Sequence, residues 1–172
     1  LFSDPSGYET QGVAVLESAV QSLMQSGDLQ NGGWGKGPKF PMPSHLRFLL
    51  RCWKRSGDAM VLDFVELTAR AMARGGIHDQ LGGGFHRYTV DGKWLVPHFE
   101  KMLYDQAQLL DFYLDLYQIT KKQEYAATAI SICGYVMRDM RADGGAFYCA
   151  EDAQSEGKEG KYFCRTTSEL KW

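Results

Sequence analysis

Between Gly82 and Gln106 the chain reads GGGFHRYTVDGKWLVPHFEKMLYDQ, and this stretch gathers side chains able to move protons or grip a charged group. It holds His86 and His98, the bases Arg87 and Lys101, and the acids Asp91, Glu100 and Asp105. Histidine titrates near neutral pH and can shuttle a proton. The glycine run lets the backbone take positive φ or approach a ligand closely. Pro97 suits the first turn of a helix. Counting ~100° per residue from there, His98, Lys101 and Asp105 fall within a narrow arc of one helical face. A glycine loop feeding such a helix would make a site. The same residues also describe a capped helix, in which Glu100 favours the N-terminal dipole and Lys101–Asp105 is an ordinary i,i+4 pair.

The elements that must position these residues are legible from periodicity. A polar lead-in over residues 1–8 precedes a helix from Glu9 to about Ser26, with Val13, Leu16, Val20, Leu23 and Met24 at helical spacing. The Gly/Pro-rich DLQNGGWGKGPKFPMP follows as a long loop. Ser44 is the expected N-cap of a second helix with Leu46, Leu49, Leu50 and Trp53 on its face. Ser56-Gly57-Asp58 turns the chain into a third helix through about Arg74. After a loop from Ile77 to Val96, the fourth helix is expected over Pro97 to Thr120, mostly buried, with a polar stripe through Lys101, Asp105, Gln108, Asp111, Asp115 and Gln118. That stripe predicts a polar cavity at its N-terminal end. A fifth helix spans about Gln123 to Arg141, and a sixth begins near Thr167–Leu170. The pattern repeats: Gly32-Gly33-Trp34, Gly83-Gly84-Phe85 and Gly144-Gly145-Ala146-Phe147 each open a long loop after an odd-numbered helix. The three loops therefore belong at one end, where functional loops gather. Short β pieces are expected at 147–149 and 161–163.

Composition bounds the function. The 172 residues carry a net charge of −2 and 44% hydrophobic side chains, enough for one domain with a real core. Lys and Arg never form a run, which argues against nucleic acid and anionic membrane, and no apolar run approaches a membrane span. The chain starts at Leu1 without a methionine and reads as a piece of a longer protein. Cys52, Cys133, Cys149 and Cys164 form no C-x-x-C pair and are expected to be free thiols, which favours a reducing, cytoplasmic compartment; a Cys149–Cys164 bridge is the alternative.

The segments GGWGKGPKFPMPSHLRFLL, AMARGGIHDQLGGGFHRYTVDGKWLVPHFEKMLYDQAQL and GGAFYCAEDAQSEGKEGKYF resemble the spermatogenesis-associated protein 20 family, which includes bacterial YyaL, from about Gly32 to the end. The resemblance implies an all-α domain of helical hairpins, part of an (α/α) toroid similar to N-acylglucosamine 2-epimerases and six-hairpin glycosidases. It further implies that residues 1–172 form about three hairpins of that toroid. A thioredoxin-like domain and the remaining repeats would lie elsewhere in the full-length protein. The family's signature positions fall on Lys39, Asp79, His86, Arg87, Trp94, His98, Glu100, Lys101, Tyr104, Asp105, Glu151 and Asp152.

Within such a toroid, Glu151 paired with Asp79 or Asp105 across the funnel would supply the acid and base of a glycosidase-type site. His86 or His98 would shuttle protons. Trp34, Trp94 and Tyr104 would offer faces to a sugar ring, while Lys39, Arg87, Glu100, Lys101 and Asp152 would bind its polar groups. As surface acids, Glu151 and Asp152 equally need no explanation, and Lys39 and Arg87 would be unremarkable as solvated loop charges. His86 and His98 lack metal-ligand spacing, so neither a metal nor another cofactor is expected. Two function classes stay open: a sugar-active enzyme, or a non-catalytic module serving the thioredoxin-like domain.

Overall fold

Glycine, proline and one aspartate set most helix boundaries. The computed structural model describes residues 5–164, 166, 168 and 169, with side chains from residue 12 onward. Its helices are α1 (Pro5–Ser26), α2 (Pro43–Ser56), α3 (Ala59–Arg74), α4 (Leu103–Thr120) and α5 (Gln123–Tyr135), the last running into a π-helical turn, Val136–Met140. Gly57 ends α2 in the left-handed region at φ 70° and donates its N–H to the Trp53 carbonyl. Asp58 then caps α3, its side chain accepting from the Met60 N–H at 2.9 Å.

Helix α2 packs on α3 and on α4, and α4 packs on α5. Their shared core includes Leu46, Leu49 and Leu50 of α2, Phe64, Val65 and Met72 of α3, Leu109, Phe112 and Leu116 of α4, and Ile132 of α5, all buried. Each such side chain contributes roughly 1.5–3 kcal/mol on burial, so the core outweighs any single cap. The buried Tyr113 hydroxyl donates to the Ala69 carbonyl at 2.8 Å, so this polar atom of α4 is satisfied by α3. Part of the α4 stripe binds α2: Arg47 reaches Asp111 at 3.1 Å and Asp115 at 3.0 Å.

The long loops lace to one another at one end of the bundle. Strand β1 (Tyr88–Thr89) pairs with β2 (Pro97–His98), β3 (Lys101–Met102) with β4 (Ala150–Glu151), and β5 (Gln154–Ser155) with β6 (Lys158–Glu159). A single bridge joins Lys39 to Thr89. Each loop is thus tied to the next.

Several expectations are corrected. Helix α4 starts at Leu103 rather than Pro97, because residues 97–98 and 101–102 take extended partners, the second pair from the loop after α5. His98, Lys101 and Asp105 therefore do not share a helical face, and Lys101 and Asp105 are not an i,i+4 pair. Ser44 lies inside α2; its N-cap is Met42, left-handed at φ 48°, ahead of Pro43. Helix α1 already includes Pro5–Tyr8. The β pieces lie at 150–151, 154–155 and 158–159, leaving only a single Phe147 bridge to Arg141 near the first expected place and a turn at 161–163. The sixth helix, expected near Thr167–Leu170, lies largely outside the described residues.

Candidate functional site

The first two glycine loops share one internal geometry. In the first, the Asp28 N–H donates to the Gly33 carbonyl and the Gly32 N–H to the Asp28 carbonyl, both at 2.8 Å. In the second, Asp79 and Gly84 repeat the first bond at 3.0 Å, and Gly83 and Asp79 the second at 2.9 Å. A buried lysine closes each: Lys39 Nζ bonds Asp28 Oδ2 at 2.6 Å and the Gly32 carbonyl at 2.8 Å. Lys101 Nζ bonds Asp79 Oδ2 at 2.9 Å and the Gly83 carbonyl at 3.0 Å. An aromatic ring covers each ammonium, Trp94 over Lys39 at 5.5 Å and Tyr135 over Lys101 at 4.2 Å. Burial works to raise the Asp79 carboxyl, but the Lys101 ammonium and the loop N–H groups prevail and hold it below its ordinary value. Lys39, Trp94, Asp79 and Lys101 are thus parts of two loop clasps.

The histidines separate. His86 is 2% exposed, donates its Nδ1–H to the Phe99 carbonyl (3.1 Å), and meets Phe99 and Phe163 edge-on. Burial, with the Lys101 charge added, depresses it to about 4, so it is a neutral core residue at physiological pH. His98 sits in β2, stacked on Tyr88 at 5.0 Å, with Nδ1 2.7 Å from Glu159 Oε1. Arg87 and Glu100 pair with each other at 3.0 Å. Trp34 donates its ring N–H to the Leu23 carbonyl and packs on Phe64, closing the end of α1. Asp152 accepts from the Gln154 N–H at 2.9 Å, a local turn contact.

Asp105 differs from all of these. It stands in the first turn of α4, 8% exposed, and its Oδ2 is buried without a hydrogen-bond partner. Burial raises its carboxyl to about 6; the nearby Arg87 charge opposes this and Glu100 adds to it. Tyr104 beside it is 46% exposed. Glu151 lies apart, on β4 directly opposite Lys101 of β3, and accepts from the Tyr135 hydroxyl at 2.5 Å. Among the described residues no three His, Cys, Asp or Glu side chains converge as metal ligands. The four cysteines are unbridged.

No family model matches the chain. It is 42% identical over 166 residues to human spermatogenesis-associated protein 20, a match covering 91% of this chain. The chain is a relative of spermatogenesis-associated protein 20. It spans only 21% of that protein's length. A Caenorhabditis elegans protein of uncharacterised function is 39% identical over 158 residues, 87% of this chain and 21% of that protein. Among solved structures, the cellobiose 2-epimerase of Bacillus thermoamylovorans superposes with a TM-score of 0.71 at 15% identity, over 83% of this chain and 41% of the epimerase. The fold is therefore that of (α/α) toroid hairpins, and at this identity the likeness shows the fold alone.

One residue that the sequence did not single out shares a feature with Asp105. His45 holds the third position of α2, as Asp105 does in α4. Its Nδ1 and Asp105 Oδ2 are the buried side-chain nitrogen and oxygen without partners among the described residues. Trp34 meets the His45 ring edge-on at 5.2 Å. Only the alignment of the two helix starts within the repeat points to it. Tyr135 and Arg138, which approach Lys101 and the Gly82 carbonyl, carry no sequence signal, because α5 reads as an ordinary apolar helix.

Proposed function

We propose that this chain is one side of a sugar-handling (α/α) toroid of about six hairpins, and that Asp105 is a carboxyl that transfers a proton there. The observation that carries the reading is the unpartnered, buried Asp105 Oδ2 at the start of α4. A carboxyl held at about 6 keeps a protonated fraction near neutral pH that an ordinary aspartate lacks, and so can serve as acid or base there. Tyr104 offers an exposed aromatic face beside it, and the Arg87–Glu100 pair supplies hydrogen-bonding groups nearby. Support for the sugar comes from the fold neighbours, named as sugar epimerases, a mannose isomerase and glycoside hydrolases. In the full-length protein the remaining repeats would close the toroid, and a thioredoxin-like domain would accompany it.

A second reading, a non-catalytic binding module for the thioredoxin-like domain, draws on Asp79 and Glu100, which are tied up in ion pairs. The two are separated by following cellobiose and mannose with the full-length protein by NMR in D2O. The enzyme reading expects turnover with a pH limb near 6, lost at least a hundredfold in Asp105→Asn. Binding without turnover supports the module, and wild-type turnover in Asp105→Asn removes Asp105 from the chemistry.

A further inference from the structure

A cleft of about 470 Å³ opens between the loop after α3 and the loop after α5, and Asp105 does not line it. One wall is the end of α5, where the helix widens into the π turn Val136–Met140. Such turns are rare and frequently lie at functional sites. Here the turn places Arg138 and Asp139 on the cleft wall, beside Tyr135.

The cations of the lining are already engaged. Lys101 is committed to Asp79 and the Gly83 carbonyl, with the rings of Tyr135 and Phe163 against its ammonium. Arg138 is committed to Asp139 and to the Gly82 carbonyl at 2.5 Å. Glu151 is not matched in this way. It accepts the Tyr135 hydroxyl at 2.5 Å, and among the described residues no Lys, Arg or His lies within ion-pair distance of it. The lining therefore carries one more carboxylate than it does cations. Aromatic side chains line the same cleft, and two of them, Tyr148 and Tyr162, are 59% and 61% exposed. Ring faces are negative, so rings and surplus carboxylate favour the same sign of guest.

We propose that this cleft binds the protonated amine of a small polar ligand, with Glu151 as the carboxylate that receives it and Tyr148 as an aromatic contact. The amine preference stands on the cleft alone; an amino sugar as its carrier rests on the sugar reading above. The lysine clasp would fix the floor, because Lys101 cannot leave Asp79 without exposing two buried charges. The β3–β4 pairing holds Glu151 directly across from Lys101, so the carboxylate is positioned by backbone rather than by a mobile side-chain network.

The test is calorimetric titration of the full-length protein with D-glucosamine and with D-glucose, at a pH where the amine is protonated. Glucosamine should bind at least tenfold more tightly than glucose. Glu151→Gln, which keeps the shape and the Tyr135 contact, should bring the two to equal affinity. If that variant melts early, Tyr148→Ala, which removes a largely exposed side chain, should weaken glucosamine at least threefold with melting unchanged. Equal affinities in the wild type, or a preference that survives both variants, overturns the proposal. Asp105→Asn separates it from the sugar reading, because it should abolish turnover and leave the amine preference in place. A preference without any turnover upholds the cleft and removes the enzyme; turnover without a preference does the reverse.

Discussion

Lys101 stands to Asp79 as Lys39 stands to Asp28: each ammonium is buried, each bonds the aspartate that opens its glycine loop, and each also takes a glycine carbonyl from that loop. The loop after α5 has Ala142 at the corresponding place, with the Ala142 N–H bonded to the Ala146 carbonyl and the Gly145 N–H to the Ala142 carbonyl. The first two hairpins are therefore clasped by charge and the third by backbone bonds.

Removing one member of a buried pair strands the other and costs about 3–5 kcal/mol. Lys101→Met should approach that figure in urea unfolding. Lys39→Met should cost less, because each aspartate keeps two loop N–H groups but Asp28 alone also keeps a side-chain amide, that of Asn31. Lys101→Met combined with Asp79→Asn should recover part of the loss. Equal losses in the two single variants would show that the Asn31 amide does not compensate Asp28, and no recovery in the double variant would show that the clasp does not act through charge.

Asp105 gives a pH signature of opposite sign to an ordinary salt-bridged acid. Its folded value of about 6 lies above the usual 3.8, so the folded state binds the proton more tightly than the unfolded chain. Its contribution is complete at low pH and is lost as pH rises from about 4 through 6. Asp105→Asn removes the penalty of a buried charge and should stabilise the protein at pH 8 by on the order of 2–3 kcal/mol, with the gain vanishing near pH 4. Melting curves of the two proteins across that range check it; a variant less stable at pH 8 would mean that Asp105 has an ionic partner.

His86 works the other way. Held at about 4 against a usual 6.5, it favours the folded state fully above 6.5 and loses that contribution as pH falls through 4. His86→Phe, packing among Phe99 and Phe163, should remove about 3 kcal/mol of acid sensitivity over this window. Because Asp105 and His86 oppose each other between pH 4 and 6, the wild type alone will show a muted slope, and the single variants are the informative measurement.

Two glycines separate backbone strain from crowding. Gly84 (φ 74°) and Gly145 (φ 83°) are both left-handed, but a Cβ at Gly84 would enter the Tyr135 ring, whereas one at Gly145 meets nothing within 4 Å. Gly145→Ala should cost about 1 kcal/mol and Gly84→Ala about 2–4 kcal/mol, the excess being overpacking. Chemical denaturation reads both; similar costs would mean that the Tyr135 ring yields.

Much of the scaffold was determined by the sequence itself. Apolar side chains at 3.6-residue spacing place α2 and α3 to within a residue or two, and Gly57, Asp58 and Gly75 mark their ends because capping is a local interaction; the same spacing places the start of α5, but not the change to a π turn after Tyr135. The three Gly-Gly marks announce the repeat and the common end of the loops for the same reason: a left-handed turn needs glycine wherever the chain goes next. Which residues those loops bring together was decided by the tertiary structure. Pro97 to Met102 read as a helix start in isolation, yet backbone partners from the preceding strand and from Ala150–Glu151 claimed them as strands. Asp79 met Lys101, His86 sank among phenylalanines, and Asp105 was left with a buried, unpaired oxygen. Burial and the identity of a charge's partner depend on chain segments far apart in sequence, and those two quantities set whether a carboxylate is a strut or a proton carrier.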